Sequence, residues 1–183
     1  LGYFNYGGIH RDVSLEICAG PTLADLRLTA ALTAEGGELT VRGRVEDMRP
    51  GILIRVNSET LSWEEWVPAD GVFDFQVLFL QAIGWSPEHP DLTALTVELL
   101  DPARQILDSQ SFQCGFRAIA VQNGRILLNG EPLALKGICY VYDSPVDGLV
   151  MTPVQIETDL RLIKAMGCNA VRCHTPLLDG VPQ

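Results

Sequence analysis

The order of apolar patterns in this chain predicts a mainly β fold, a β-sandwich followed by a β-hairpin and one β-α-β unit. Three observations predict it. Between Val13 and Gln113, short apolar or alternating runs are separated at fairly regular spacing by Gly, Pro and Asp turn signals, as in a sandwich. Asn129-Gly130 lies between two apolar runs, where a tight hairpin requires positive φ. A capped helix then separates a strand ending at Lys136-Gly137 from a strand at Asn169–Cys173, and that order makes a parallel crossover.

The predicted sandwich strands are Val13–Cys18, Asp25–Thr33, Glu38–Val45, Ile52–Asn57, Val72–Leu80, Thr93–Leu100 and Gln105–Gln113. Gly20-Pro21, Gly36-Gly37, Arg49-Pro50-Gly51, Pro68-Ala69-Asp70-Gly71, Ser86-Pro87 with His89-Pro90, and Asp101-Pro102 separate them, because these residues preset or permit turn dihedrals. Leu26, Leu28, Ala30 and Leu32 alternate with Arg27, Thr29, Ala31 and Thr33, so one face of that strand is buried.

After Gly115, Arg125–Leu128 and Pro132–Leu135 form the arms of the hairpin, with Glu131 lengthening its turn. The second arm runs on through Lys136-Gly137-Ile138, and a loop follows to about Met151. Thr152 is the predicted cap of the helix, Pro153 suits its first position, and Gln155 completes a capping box. Ile156, Leu160 and Ile163 form its apolar stripe, Glu157 and Arg161 pair one turn apart, and Gly167 ends it in a left-handed conformation. Two parallel strands and one helix cannot cover both faces of their own sheet. The chain is therefore expected to be part of a larger barrel whose other strands it lacks.

Composition excludes several classes. A formal net charge of −10, from 23 acidic and 13 basic side chains without a Lys/Arg cluster, argues against nucleic acid and an acidic membrane surface as partners. No apolar run reaches the ~18 residues that span a bilayer, and no basic-then-apolar leader opens the chain. Cys18, Cys114, Cys139, Cys168 and Cys173 give an odd count without short-range pairing, which favours free thiols and a reducing compartment; compartment is otherwise unspecified, and a signal peptide upstream is compatible with this. Cys18 and Cys114 flank the β-rich region and are read as small hydrophobes at strand ends, with pairing to each other as the alternative. Cys168-x4-Cys173-His174 lacks a second ligand pair at zinc spacing, and no phosphate-binding or nucleophile-elbow motif occurs, so neither metal nor cofactor is expected.

Three segments resemble the family-2 glycoside hydrolases, the group of β-galactosidases, β-glucuronidases and β-mannosidases. Phe4-Asn5-Tyr6-Gly7-Gly8-Ile9-His10-Arg11-Asp12-Val13 is similar to the end of that family's N-terminal sugar-binding jelly roll. Trp85-Ser86-Pro87-Glu88-His89-Pro90-Asp91-Leu92 resembles a segment of its immunoglobulin-like sandwich, with Thr93 where Tyr is usual. Gly115-Phe116-Arg117, Leu128–Pro132, Leu135-Lys136-Gly137, Asp159-Leu160 with Ile163-Lys164, and Asn169-Ala170-Val171-Arg172 together resemble the opening of its catalytic (β/α)8 barrel. The resemblance implies three parts: a last jelly-roll strand over 1–12, an immunoglobulin-like β-sandwich over 13–114, and the start of an incomplete TIM barrel over 115–183.

The chemistry implied is hydrolysis of terminal β-linked sugars (glucuronide, galactoside or mannoside) with retention, by two carboxyl groups about 5 Å apart, one acid/base and one nucleophile. The resemblance places both glutamates on later barrel strands, beyond residue 183, so no catalytic residue is assigned in this chain. Glu64-Glu65 does not substitute, since neighbours on an extended chain point to opposite faces.

Barrel sites form at the C-terminal strand ends. By resemblance, Arg172 supports the nucleophile carboxylate, a role for which a permanently charged guanidinium fork is suited; a salt bridge is the alternative. His174 stands one residue closer to the arginine than in the family and is read either as a sugar contact or as a local hydrogen-bonding group. The loop Cys139-Tyr140-Val141-Tyr142-Asp143-Ser144-Pro145 replaces the histidine-rich loop of galactosidase-like members. In it Tyr140 or Tyr142 offers a stacking ring and Asp143 a hydroxyl acceptor, with packing and turn roles as alternatives. Trp63, Trp66 and Trp85 are read as packing residues.

The expected function is thus part of a β-glycosidase of carbohydrate metabolism, inactive by itself, with carbohydrate as the substrate of the parent enzyme and self-association through the truncated barrel surface. A non-catalytic carbohydrate- or protein-binding immunoglobulin-like module is the alternative, because such sandwiches host unrelated roles.

Overall fold

The computed structural model describes residues 8–9, 13–15, 17–141, 143–144, 146–148 and 150–173. The alternating runs become two antiparallel sheets. One has β1 (Thr22–Thr33), β2 (Gly36–Glu46) and β5 (Val72–Phe79) in the order β1-β2-β5. The other has β3 (Leu53–Asn57), β4 (Ser62–Trp66), β6 (Thr93–Leu100) and β7 (Ile106–Cys114) in the order β4-β3-β6-β7. Constant-type immunoglobulin domains place their fourth strand on the first sheet, whereas β4 here pairs with β3 on the second.

The core lies between the inner faces. Leu39 and Val41 of β2 and Phe73 and Val77 of β5 cluster with Ile54 and Val56 of β3 and Val97 and Leu99 of β6, all buried. Burying each contributes about 1.5–3 kcal/mol. The predicted face of β1, Leu26, Leu28, Ala30 and Leu32, packs against them. β1 is bulged where Asp25, at φ 52°, and Leu26 stand opposite Gly43.

Two strand predictions need correction. The described residues of Val13–Cys18 belong to no strand, and Val13, Leu15 and Ile17 are 79%, 86% and 85% exposed. Alternation shows only that a segment has an apolar face, and a strand also needs a hydrogen-bonding partner. Conversely, Ser62-Trp63-Glu64-Glu65-Trp66 is a strand despite its polarity. As an edge strand it needs one neighbour, β3, and Arg55 stands directly opposite Glu64.

A separate sheet has β8 (Ile119–Gln122), β9 (Arg125–Leu128) and β10 (Glu131–Pro132) in the order β10-β9-β8. Leu128 pairs with Glu131, so Asn129 at φ 52° and Gly130 at φ 86° are the entire turn, without the lengthening by Glu131 that the sequence suggested. The second arm is also shorter than predicted, since only Pro132 of Pro132–Leu135 is in the strand. Asn123 and Gly124, at φ 52° and 72°, make an equivalent turn between β8 and β9 that the sequence reading passed over.

Residues 17–133 form one compact unit, and the segment from Ala134 belongs to a second. The second unit contains β11 (Gly137–Tyr140), α1 (Pro153–Ala165) and β12 (Ala170–Cys173), with β11 and β12 parallel and Cys139 opposite Arg172. The strand expected to end at Lys136-Gly137 instead begins there, and Cys139 and Tyr140 lie within it. The parallel partner decides this. Asn169 meets the Lys136 backbone twice, its Oδ1 accepting from Lys136 N at 2.7 Å and its N donating to Lys136 O at 2.8 Å.

The helix starts as predicted. Thr152 caps it, Pro153 opens it, and Gln155 returns the capping-box bond to Thr152 N at 2.7 Å. Gly167 at φ 86° ends it, donating to Lys164 O while Cys168 N donates to Ile163 O, a Schellman arrangement. Ile156 and Ile163 are buried, but Leu160 is 41% exposed, so the predicted stripe is narrower than three residues. Arg161 pairs with Glu157 at 2.6 Å.

Candidate functional site

β11 and β12 end on the same side, and strand alternation sorts their side chains. Residues in register share a face, so Arg172 goes with Cys139, whereas Tyr140 goes with Cys173 on the other face. Arg172 Nη1 donates to Cys139 Sγ at 3.7 Å. Among the described residues no carboxylate forms an ion pair with the exposed Arg172 guanidinium.

Tyr140 faces α1. Its hydroxyl donates to Asp159 Oδ2 at 2.7 Å and lies 3.9 Å from Met151 Sδ, so ring and helix are tied together. Asp143 and Asp159 line one open depression of about 290 Å³, together with Ser144, Met151, Val154, Gln155 and Thr158. The structure thus ties Tyr140 to the helix through Asp159, has Asp143 line the same depression as Asp159, and leaves Arg172 on the opposite face of the strand pair. His174 and Tyr142 lie outside the described residues, as does most of the Phe4–Val13 segment.

The loop between β11 and α1 is organised by its own polar atoms. Ser144 and Gly148 exchange backbone hydrogen bonds at 2.8 Å, and Ser144 Oγ accepts from Val146 N and Asp147 N. Gln155 Nε2 donates to Asp147 Oδ2 at 2.7 Å, which joins the loop to the helix. Sequence reasoning assigned Gln155 to the cap alone, and the capping-box motif contains no signal of its second bond. Asn169 was likewise read only as part of a motif. Its Nδ2 also donates to Ala134 O at 2.9 Å, so one side chain fixes the start of both strands.

In the sandwich, Glu64 accepts from Arg55 Nε at 2.7 Å and pairs with Arg104, and Glu98 accepts from Asn57 Nδ2 at 3.0 Å. The Arg55 guanidinium holds the Glu64 carboxyl below the usual glutamate range, helped by Arg104. Glu65 instead accepts from Trp66 N at 2.9 Å, so the two neighbouring glutamates share no target. Trp63 packs on Phe75 with centroids 5.5 Å apart, and Arg117 lies 5.7 Å over the Trp85 ring. These two are packing residues, as expected, whereas Trp66 on the edge strand is exposed. Cys114, Cys139, Cys168 and Cys173 are free thiols; Cys18 is exposed and lies outside β1, while burial pushes the Cys114 thiol up.

Comparison with known proteins places this arrangement. The family model described as "Glycosyl hydrolases family 2" matches residues 20–117, and "Glycosyl hydrolases family 2, TIM barrel domain" matches residues 119–179. The chain is 33% identical over 166 residues to β-galactosidase 2 of Enterobacter cloacae, covering 90% of this chain and 15% of that protein. It is 31% identical over 176 residues to a β-glucuronidase of Paenibacillus borealis, covering 95% of this chain and 29% of that protein. A solved family-2 β-galacturonidase of Eisenbergiella tayi, bound to galacturonate, superposes with a TM-score of 0.73 at 28% identity, over 87% of this chain and 30% of that one. The chain thus spans less than a third of each of these relatives. With its sandwich matched by one model of the family and its β-α-β unit by the other, in the order the relatives share, the chain belongs to family 2 of the glycosyl hydrolases.

Proposed function

We propose that this chain supplies the sandwich and the first barrel strands of a retaining β-glycosidase that removes terminal β-linked hexoses or hexuronic acids. Residues 1–12 are assigned to the end of a jelly roll, 13–114 to the sandwich and 115–183 to the opening of the barrel. The observation that carries the reading is Arg172, an exposed guanidinium at the C-terminal end of a parallel strand, in contact with a thiol and in no ion pair among the described residues. A carboxylate delivered to that face by a later strand would receive a charge-assisted fork that keeps it ionised and aimed at the anomeric carbon. The names of the relatives, a β-galactosidase, a β-glucuronidase and a β-galacturonidase, support the substrate class.

Tyr140 acts here through Asp159, setting the loop against the helix, and Asp143 is the carboxylate of that loop assigned to a sugar hydroxyl. The exposed side chains Leu135, Val141, Val154, Leu160 and Leu162 form the surface through which this unit self-associates when no further barrel strands cover it.

The test is turnover of nitrophenyl β-galactoside, β-glucuronide and β-galacturonide. A gene product in which a complete barrel follows this chain hydrolyses one of them, and Arg172→Ala in it lowers kcat about 10²-fold, the scale of a hydrogen bond to a charged group. The 183-residue chain alone has no turnover. Activity of the chain alone after removal of trace enzyme, or an inert complete-barrel product, overturns the reading.

A further inference from the structure

The Gln155 side chain makes two kinds of bond with its two ends. Its Oε1 accepts from Thr152 N at 2.7 Å, which with Gln155 N donating to Thr152 Oγ1 at 3.3 Å makes the capping box, and also accepts from Thr152 Oγ1 at 2.9 Å. Its Nε2 donates to Asp147 Oδ2 at 2.7 Å, eight residues back in the loop after β11. Asp147 belongs to the turn closed by the Ser144–Gly148 bonds, with Ser144 Oγ 3.5 Å from the same Oδ2. A capping box works with Glu or Gln. Only Gln also has a donor for the Asp147 carboxylate, and Glu would set two carboxylates 2.7 Å apart.

We infer that Gln155 is a positioning residue that clamps the loop carrying Asp143 and Ser144 to the first turn of α1. The depression lined by Asp143, Ser144 and Gln155 takes its shape from this clamp. The loop follows a barrel-type strand at the end where such folds build their sites, so the clamp holds a wall of the proposed sugar site. That last step rests on the function proposed above; the bond itself does not.

Site-resolved amide exchange on the intact 183-residue chain tests the clamp without any activity readout. In Gln155→Glu, the amides of Asp147 and Gly148 exchange about tenfold faster, the factor that corresponds to one lost hydrogen bond of ~1.4 kcal/mol. The amides within α1 stay at the wild-type rate, because Glu retains the acceptor for Thr152 N. Adding Asp147→Asn restores a donor–acceptor pair with reversed polarity and returns the loop to near wild-type exchange. Unchanged loop exchange in Gln155→Glu overturns the inference, as does faster exchange that the second substitution fails to restore or an effect confined to the helix. A glycosidase without the clamp, or a clamp in a protein without glycosidase activity, would separate the failure of one reading from that of the other.

Discussion

At the residue scale, charge pairing on the open face of the four-stranded sheet couples folding to pH. Glu64 is held below its ordinary value chiefly by the hydrogen bond from Arg55, and then by Arg104. For a carboxyl depressed on folding, the contribution is present above the ordinary glutamate value and is lost as pH falls through the folded-state value. Urea midpoints followed from neutral to acid pH should therefore fall more steeply for the wild type than for Glu64→Gln. Parallel acid limbs for the two proteins would show that the pair is screened into irrelevance. Asp25 is lowered in the same direction by Arg44 and adds to the same limb. None of this was legible in Glu64-Glu65 as a dipeptide, since the partners Arg55 and Arg104 reach it only through the pairing of β3 with β4 and the loop after β6.

At the element scale, the Asn129-Gly130 turn was legible because two consecutive positive φ angles select those residue types. Its side-chain role was not. Asn129 Oδ1 accepts from Ala118 N at 2.9 Å, and Nδ2 donates to Trp85 O at 2.9 Å, so the turn residue also ties the hairpin to the sandwich loop. Asn129→Ala loses both bonds and forces alanine into the left-handed region, so it should destabilise the chain by about 2–3 kcal/mol in urea unfolding. Asn129→Gly relieves the backbone strain and should lose less. Equal losses would mean that the side-chain bonds contribute everything. The helix was the most legible element, with its cap, capping box, ion pair and left-handed terminator all local in sequence. Leu160 was misassigned because a helix has several apolar flanks, and only its neighbours decide which flank is covered.

At the scale of the whole molecule, the sandwich closes its own core, whereas among the described residues from Ala134 onward a two-stranded sheet and one helix cover the apolar side chains. Val154 and Leu162 of α1 and Met166 at its C-terminal cap are 71%, 61% and 72% exposed. Sedimentation of the 183-residue chain should show concentration-dependent association that Val154→Ser with Leu162→Ser reduces. A monomer at every concentration would refute it. The sequence by itself determined the sandwich class, the hairpin turn, the helix limits and the family, because alternation, turn chemistry and caps act over a few residues. Only the tertiary structure decided that the described residues of Val13–Cys18 stay out of the sheets, that Ser62–Trp66 joins one, and that β11 starts at Gly137. It also decided the site's sidedness, Arg172 with Cys139 on one face and Tyr140 with Asp159 on the other. The physical reason is common to all four: strand pairing and facing partners are non-local, and a side chain's environment is set by residues tens of positions away that no local pattern names.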